Sequence, residues 1–334
     1  MMSSSQDAPL TWQAPQSPDR VVAVTGARGF IGSHLMDSLR QHGYSPRAVS
    51  RESLDAIQHS SSDLRRALAG AQAVVHLAGR AHVPGENAHA AAALQAANVQ
   101  LTRALYTECV HAGIAKFLFL SSVAAAAVEA DEVLTETGVE RPTTAYGLSK
   151  LRAEQALGDL ALAGGPGIAI LRPPMVYGPG MKGNPLSLMK LVAARIPLPL
   201  GAVRNNRRSL VYVTNLAAAI ICLLDRSPDR YEIFYIKDPT DVSTRTFAYE
   251  MGRALGRPTR FLNIPIPLLQ HAARAADATI GTIGYRSYAD ALRRLTTSLV
   301  VDSSKFHRAT DFIAPYSLED GLGITAKWFL ADRG

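Results

Sequence analysis

Two cysteines in 334 residues, Cys109 and Cys222, leave no disulfide framework to read. They lie far apart inside helical patterns and read as small buried apolar residues of a reducing compartment. Nine histidines are scattered without an H-x-x-x-H or H-E-x-x-H pair, so no metal site is expected. No apolar run is long enough to cross a bilayer, and no membrane partner is expected. Residues 1–19 are rich in Ser, Pro and Gln but lack the basic and apolar regions of a signal peptide. They read as a flexible tail, with the cytoplasm as the setting. Also missing are any basic run of five residues and any RNP-like motif. The net charge of +7, from 35 basic and 28 acidic residues, therefore suits an anionic small ligand rather than nucleic acid.

What is present is an apolar content of 47% over a length that suggests roughly two domains. The first organising stretch is Val21 to Gly32. The β-branched run Val21, Val22, Val24 and Thr25 reads as a buried strand. Gly26, Gly29 and Gly32 follow, and then a helical pattern with Ile31, Leu35 and Leu39 on one face. Strand, glycine turn and helix form the context of a dinucleotide site. Gly26 permits the turn, Gly29 the approach of a pyrophosphate, and Gly32 close helix packing. The helix N-terminus offers N–H groups to the phosphates. The plain alternative is a structural turn of an α/β protein, because the spacing is G-x-x-G-x-x-G rather than G-x-G-x-x-G.

The second strand is expected over Pro46–Arg51. An acid at its tip would bond the ribose 2′-hydroxyl of NAD, whereas a basic residue favours the 2′-phosphate of NADP. The tip reads Ser50-Arg51, with Glu52 one residue too late and Arg28 on the glycine turn, so NADP is favoured and NAD is the alternative. Further strands are expected over Ala73–Leu77, Phe117–Leu120 and Ile168–Leu171, with helices over Ala88–Ala112 and from Ala145. This alternation predicts a Rossmann-type, doubly wound parallel sheet over residues 20–179. Residues 180–334 predict a smaller mixed α/β substrate lobe over the sheet's carboxyl edge, with strands Leu210–Val213 and Tyr231–Ile236, some of them possible returns to the sheet. Asn98, in mid-helix, is poor on propensity. Its plain reading is a tolerated polar residue, and the functional one a side chain that holds a water or a backbone carbonyl.

Tyr146 and Lys150 stand four apart on one helix and share a face. A free phenol titrates near ~10, and an adjacent ammonium favours its ionised form. Such a pair can pass a proton to or from a carbinol oxygen while hydride moves at the carbon. Ser122, at a strand's carboxyl end, can bond the same oxygen.

In this order, Thr25-Gly-Ala-Arg-Gly-Phe-Ile-Gly32, Asp63-Leu64, His76-Leu-Ala-Gly79, Asn98-Val99, Ser121-Ser122, Tyr146-Gly-Leu-Ser-Lys150 and Leu171-Arg-Pro-Pro-Met-Val-Tyr-Gly-Pro179 resemble the extended short-chain dehydrogenase/reductases. The resemblance implies Ser122, Tyr146 and Lys150 as the catalytic trio. It implies a cofactor site of Gly26, Arg28, Gly29, Phe30, Ile31, Gly32, Arg51, Asp63, Leu64, Leu77, Ala78, Gly79, Asn98, Tyr146, Lys150 and Pro173, with Asp63 at the adenine and Lys150 on the nicotinamide ribose. Lys182-Gly-Asn184, Pro199-Leu-Gly201 and the run Asn206 to Asn215 are similar to the UDP-holding segments of UDP-hexose 4-epimerases. That implies Asn184 and Arg208 at the pyrophosphate and Leu200-Gly201 by the uracil. The family's R-x-x-D is absent near Arg293-Arg294, and Arg294 takes that place. Within this branch the chain resembles the UDP-N-acetylquinovosamine dehydrogenase group, reductases at carbon 4 of a UDP-4-keto-6-deoxy-HexNAc. The alternatives are a 4-epimerase with tightly held NAD and a non-catalytic dinucleotide sensor. A homodimer through the helices near Ala88–Ala112 and Ala145–Ala163 is the family expectation.

Overall fold

The computed structural model describes residues 20–55, 62–81, 88–226, 229–279 and 287–332. The expected tail, residues 1–19, lies outside the described residues. Six parallel strands form the main sheet: β1 (Val21–Thr25), β2 (Ser45–Val49), β3 (Ala73–His76), β4 (Lys116–Leu120), β5 (Gly167–Arg172) and β8 (Tyr231–Tyr235), in the order β2-β1-β3-β4-β5-β8. A separate parallel pair joins β6 (Met175–Tyr177) to β7 (Leu210–Tyr212). The helices are α1 (Phe30–Gln41), α2 (Arg51–Asp55), α3 (Ser62–Leu68), α4 (Ala88–Leu94), α5 (Leu101–His111), α6 (Ala145–Leu162) and α7 (Asn184–Ala193). They continue as α8 (Val213–Asp225), α9 (Thr244–Ala254), α10 (Ile266–Thr279), α11 (Tyr288–Thr296), α12 (Ser304–Thr310) and α13 (Leu318–Ala331).

Both faces of the sheet are covered, which is why β1 is apolar along its whole length. Successive residues alternate between the faces. Val22 and Val24 join Leu35 and Leu39 of α1 and Leu216, Ile220 and Leu223 of α8. Val21 and Ala23 join Leu64 and Leu68 of α3, Leu105 of α5 and Leu157 of α6. Strand order reverses between β1 and β3, so a crevice opens beyond their carboxyl ends. A third core lies under the carboxyl edge of the sheet and gathers Tyr177, Leu188, Met189, Leu198, Leu200, Tyr212, Phe247, Met251 and Leu322.

Several expected boundaries shift. The second strand stops at Val49, and Arg51 opens α2 instead of ending the strand. The reason is local: the Ser50 hydroxyl accepts the Ser53 N–H at 3.1 Å, an N-cap that turns the chain into helix. The third strand ends at His76, which leaves Leu77 in the following loop. The helical stretch from Ala88 is not continuous, because Gln95–Gln100 forms one widened π turn between α4 and α5.

Candidate active site

The glycine turn is tight. Gly26 has φ +70°, and the Gly29 N–H donates to its carbonyl at 2.9 Å. A Cβ on Gly26 would lie 3.0 Å from the Ala78 nitrogen, and one on Gly32 only 2.1 Å from the Gly26 oxygen. Turn, helix and the end of β3 therefore close on one another only because both positions lack a side chain. Gly29 precedes α1 with no side-chain cap, so the first-turn N–H groups of the helix stay available to an anion. Phe30 and Ile31 are half-buried and pack their side chains against the third core.

Arg28 and Arg51 are exposed, and Arg51 makes a surface pair with Asp55 at 3.6 Å. Glu52 belongs to the same corner. Backbone and Ser50 hydrogen bonds hold its carboxyl below the usual range, and the nearby Arg28 and Arg51 add to this. Asp63 is exposed and pairs with Arg66 at 3.6 Å. The Leu64 side chain is buried in the core, so only its backbone can face an adenine.

Beyond β3, Leu77 and Ala78 are half-buried, and the Ala78 N–H donates to the Thr25 hydroxyl at 3.1 Å. His76 is fully buried between the Thr25 and Thr102 hydroxyls and is pushed down to about 3 by burial first and then Lys150. It is a neutral strut. Asn98 is not a tolerated polar residue. Its Oδ1 accepts the Arg80 N–H at 2.8 Å, and its Nδ2 donates to the Arg80 carbonyl at 3.0 Å and to Ser149 at 2.9 Å. From the π turn it clamps the loop after β3 to α6. A Cβ on Gly79 would lie 2.9 Å from Asn98 Oδ1 and 3.4 Å from Lys150 Nζ. The crevice floor is thus shaped for a group that lies against bare backbone, which fits a nicotinamide dinucleotide.

The proposed trio is assembled from β4 and α6. Ser122 follows β4, and its hydroxyl accepts the Ala124 N–H at 3.2 Å. Thr144 caps α6 by accepting the Gly147 N–H at 3.0 Å, which sets Tyr146 in the first turn. A Cβ on Gly147 would lie 2.1 Å from the Ala124 oxygen, so the helix rests on the turn that carries Ser122. The Ser122 hydroxyl bonds the Tyr146 phenol. Lys150 is buried, donates to the Leu120 carbonyl at 2.9 Å and lies 4.5 Å above the Phe119 ring. Burial pulls it down to about 8, against the attraction of Glu154. Burial raises Tyr146 and the Ser122 bond opposes this, while the Lys150 ammonium is turned to the Leu120 carbonyl. Buried Pro173 accepts the Val123 N–H at 2.9 Å and so ties β5 to the same turn.

Beside Ser122 opens a cavity of about 280 Å³, lined by Pro174, Met175, Lys182, Asn184, Phe247 and Leu299 among others, with Arg208 and Arg294. Arg208 Nη1 donates to the Arg294 carbonyl at 2.8 Å and to the Thr297 carbonyl at 3.1 Å. Burial, and then the neighbouring Arg294, lower the Arg208 guanidinium. Arg294 Nε is buried without a hydrogen-bond partner. Two adjacent guanidiniums with an unused buried donor call for an anion. The structure therefore brings together Ser122, Asn184, Arg208 and Arg294. It does not bring Leu200 and Gly201 to the cavity. Leu200 is in the third core, and Gly201 donates to the Leu262 carbonyl at 3.0 Å. Gly147 lies within the Tyr146–Lys150 stretch, and a glycine in a first helical turn is itself a hint of close packing.

The NAD dependent epimerase/dehydratase family model matches residues 22–236. The chain belongs to this family. It is 32% identical to a UDP-glucose 4-epimerase of Vibrio cholerae over 92% of this chain and 95% of that protein. It is 26% identical to a ceramide reductase of Caulobacter vibrioides over 93% and 95%. A Bacillus cereus UDP-N-acetylglucosamine 4-epimerase structure superposes with a TM-score of 0.72 over 94% of this chain and 99% of that one, at 22% identity. This epimerase/dehydratase family member is an enzyme of the short-chain dehydrogenase/reductase type with an NAD(P)-dependent Rossmann fold. Among the described residues no helix is long and apolar enough to cross a membrane.

Proposed function

We propose that the enzyme reduces carbon 4 of a UDP-4-keto-6-deoxy-HexNAc with NADPH. The observation that carries this reading is the cavity that runs from Ser122 to the Arg208–Arg294 pair. It has Ser122 at one end and diphosphate-suited cations at the other. When bound, the dinucleotide supplies the hydride. Tyr146, raised by burial, is held in its protonated form and gives its proton to the carbonyl oxygen. Ser122 bonds the same oxygen, and Lys150 holds the nicotinamide ribose and supports the phenol as its proton leaves. Arg208, Arg294 and Asn184 hold the diphosphate. Arg28 and Arg51 favour the 2′-phosphate of NADP(H). The proposal includes a homodimer through the helices near Ala88–Ala112 and Ala145–Ala163, which expose Val110, Leu148 and Leu162.

The second reading is 4-epimerisation with resident NAD, favoured by the Vibrio cholerae relative. An epimerase returns its hydride and keeps its cofactor, whereas a reductase exchanges it at each turnover. Denaturing the purified protein and analysing the released nucleotide separates the two. Little bound nucleotide, with NADPH binding reversibly, is expected. Stoichiometric NAD that survives gel filtration contradicts the reductase.

A further inference from the structure

The loop after Ser122 is acidic, and one of its carboxylates reaches Arg293, the chain neighbour of the cavity-lining Arg294. Glu129 Oε1 accepts a hydrogen bond from Arg293 Nη1 at 2.6 Å. Arg293 adjoins Arg294 on α11, whose carbonyl Arg208 binds at 2.8 Å. Glu129 is also close enough to Arg208 to oppose the lowering of that guanidinium. The Glu129 carboxylate thus pairs with Arg293, which also bonds Asp290 at 3.3 Å, and acts on Arg208 from nearby. It sits at the rim, next to Val128, which lines the cavity. The loop does not depend on it for anchorage. The Ala130 N–H donates to the Ser298 carbonyl at 3.1 Å, Leu134 to Val300 at 2.9 Å, and Asp302 back to Leu134 at 2.8 Å.

We propose that Glu129 is a built-in counter-charge of the diphosphate site, a residue that limits affinity for the nucleotide so that product leaves. This rests on the UDP-sugar reading above. The carboxylate pairs with Arg293 and partly offsets the repulsion between Arg208 and Arg294. A diphosphate that enters between Arg208 and Arg294 meets it as a like charge.

The test is calorimetric titration of the full-length protein with UDP. Glu129→Gln keeps the size and an acceptor for Arg293 but removes the charge. It is expected to bind UDP about tenfold tighter, with a steeper loss of affinity as salt rises. Arg293→Gln frees the carboxylate toward the other arginines and is expected to bind UDP about tenfold more weakly. If wild type binds UDP and Glu129→Gln binds it equally or more weakly, Glu129 is a structural latch and the inference is overturned, while the UDP reading stands. If wild type takes up no UDP, the UDP reading fails and this inference with it.

Discussion

Gly147 and Ala124 touch so closely that one methyl group would not fit between them: a Cβ at 147 would lie 2.1 Å from the Ala124 oxygen. That contact sets the first turn of α6 on the turn that follows Ser122. Gly147→Ala must push helix and turn apart. Overpacking of this kind costs about 1–3 kcal/mol, and a small misplacement of reacting groups costs about a hundredfold in rate. We expect a lower melting temperature and a turnover loss larger than the stability loss explains. Wild-type turnover in Gly147→Ala would contradict this coupling.

Tyr146→Phe removes the proton donor and leaves the ring. Turnover is expected to fall by about 10²–10⁴, with cofactor affinity little changed because the Gly26–Gly32 turn is untouched. Fluorescence titration with NADPH alongside steady-state rates checks both halves. Unchanged turnover would remove Tyr146 as the proton donor, whereas a wild type that turns over none of the UDP-sugars tested would favour the non-catalytic dinucleotide sensor.

The pH profile should report Lys150. Burial lowers it to about 8, so its ammonium is present below that pH and lost above it. Tyr146 is shifted upward and keeps its proton across the neutral range. The kcat/KM for reduction is therefore expected to be level near neutrality and to fall as pH rises through about 8. A profile level to well above that pH would place the Lys150 charge elsewhere.

Cofactor choice should turn on the corner shared by Arg28, Arg51 and Glu52. Removal of a charge-assisted bond to phosphate costs about 1.5–3 kcal/mol, or roughly ten- to a hundredfold in affinity. Arg51→Ala is expected to raise KM for NADPH on that scale and leave KM for NADH nearly unchanged, with Arg28→Ala additive in direction. Equal effects on both cofactors would remove the 2′-phosphate from this corner.

Local chemistry was legible where it is carried by neighbours in sequence. The β-branched run before Gly26 and the glycine spacing are enough to place β1, the turn and α1. The four-residue step from Tyr146 to Lys150 is enough to put both on one helix face. Long-range partners were not legible. The strand Met175–Tyr177 is only three residues and exists because it pairs with Leu210–Tyr212. Asn98 looked dispensable because its partners, Arg80 and Ser149, come from a loop and another helix. Arg294 was placed by default, and its nearness to Arg208 appears only once α11 is folded back. Glu129 had no signal at all, since Arg293 lies 164 positions away.

The most direct measurement follows the transferred hydrogen. The enzyme is incubated with a UDP-4-keto-6-deoxy-HexNAc and NADPH that carries deuterium at its transferable position, and the sugar is read by mass spectrometry and NMR. One deuterium at carbon 4 of the product, with an equivalent of NADP released, is expected. No NADPH consumption, together with inversion of carbon 4 in an unreduced UDP-hexose and no deuterium gained, would contradict the reductase and establish the epimerase.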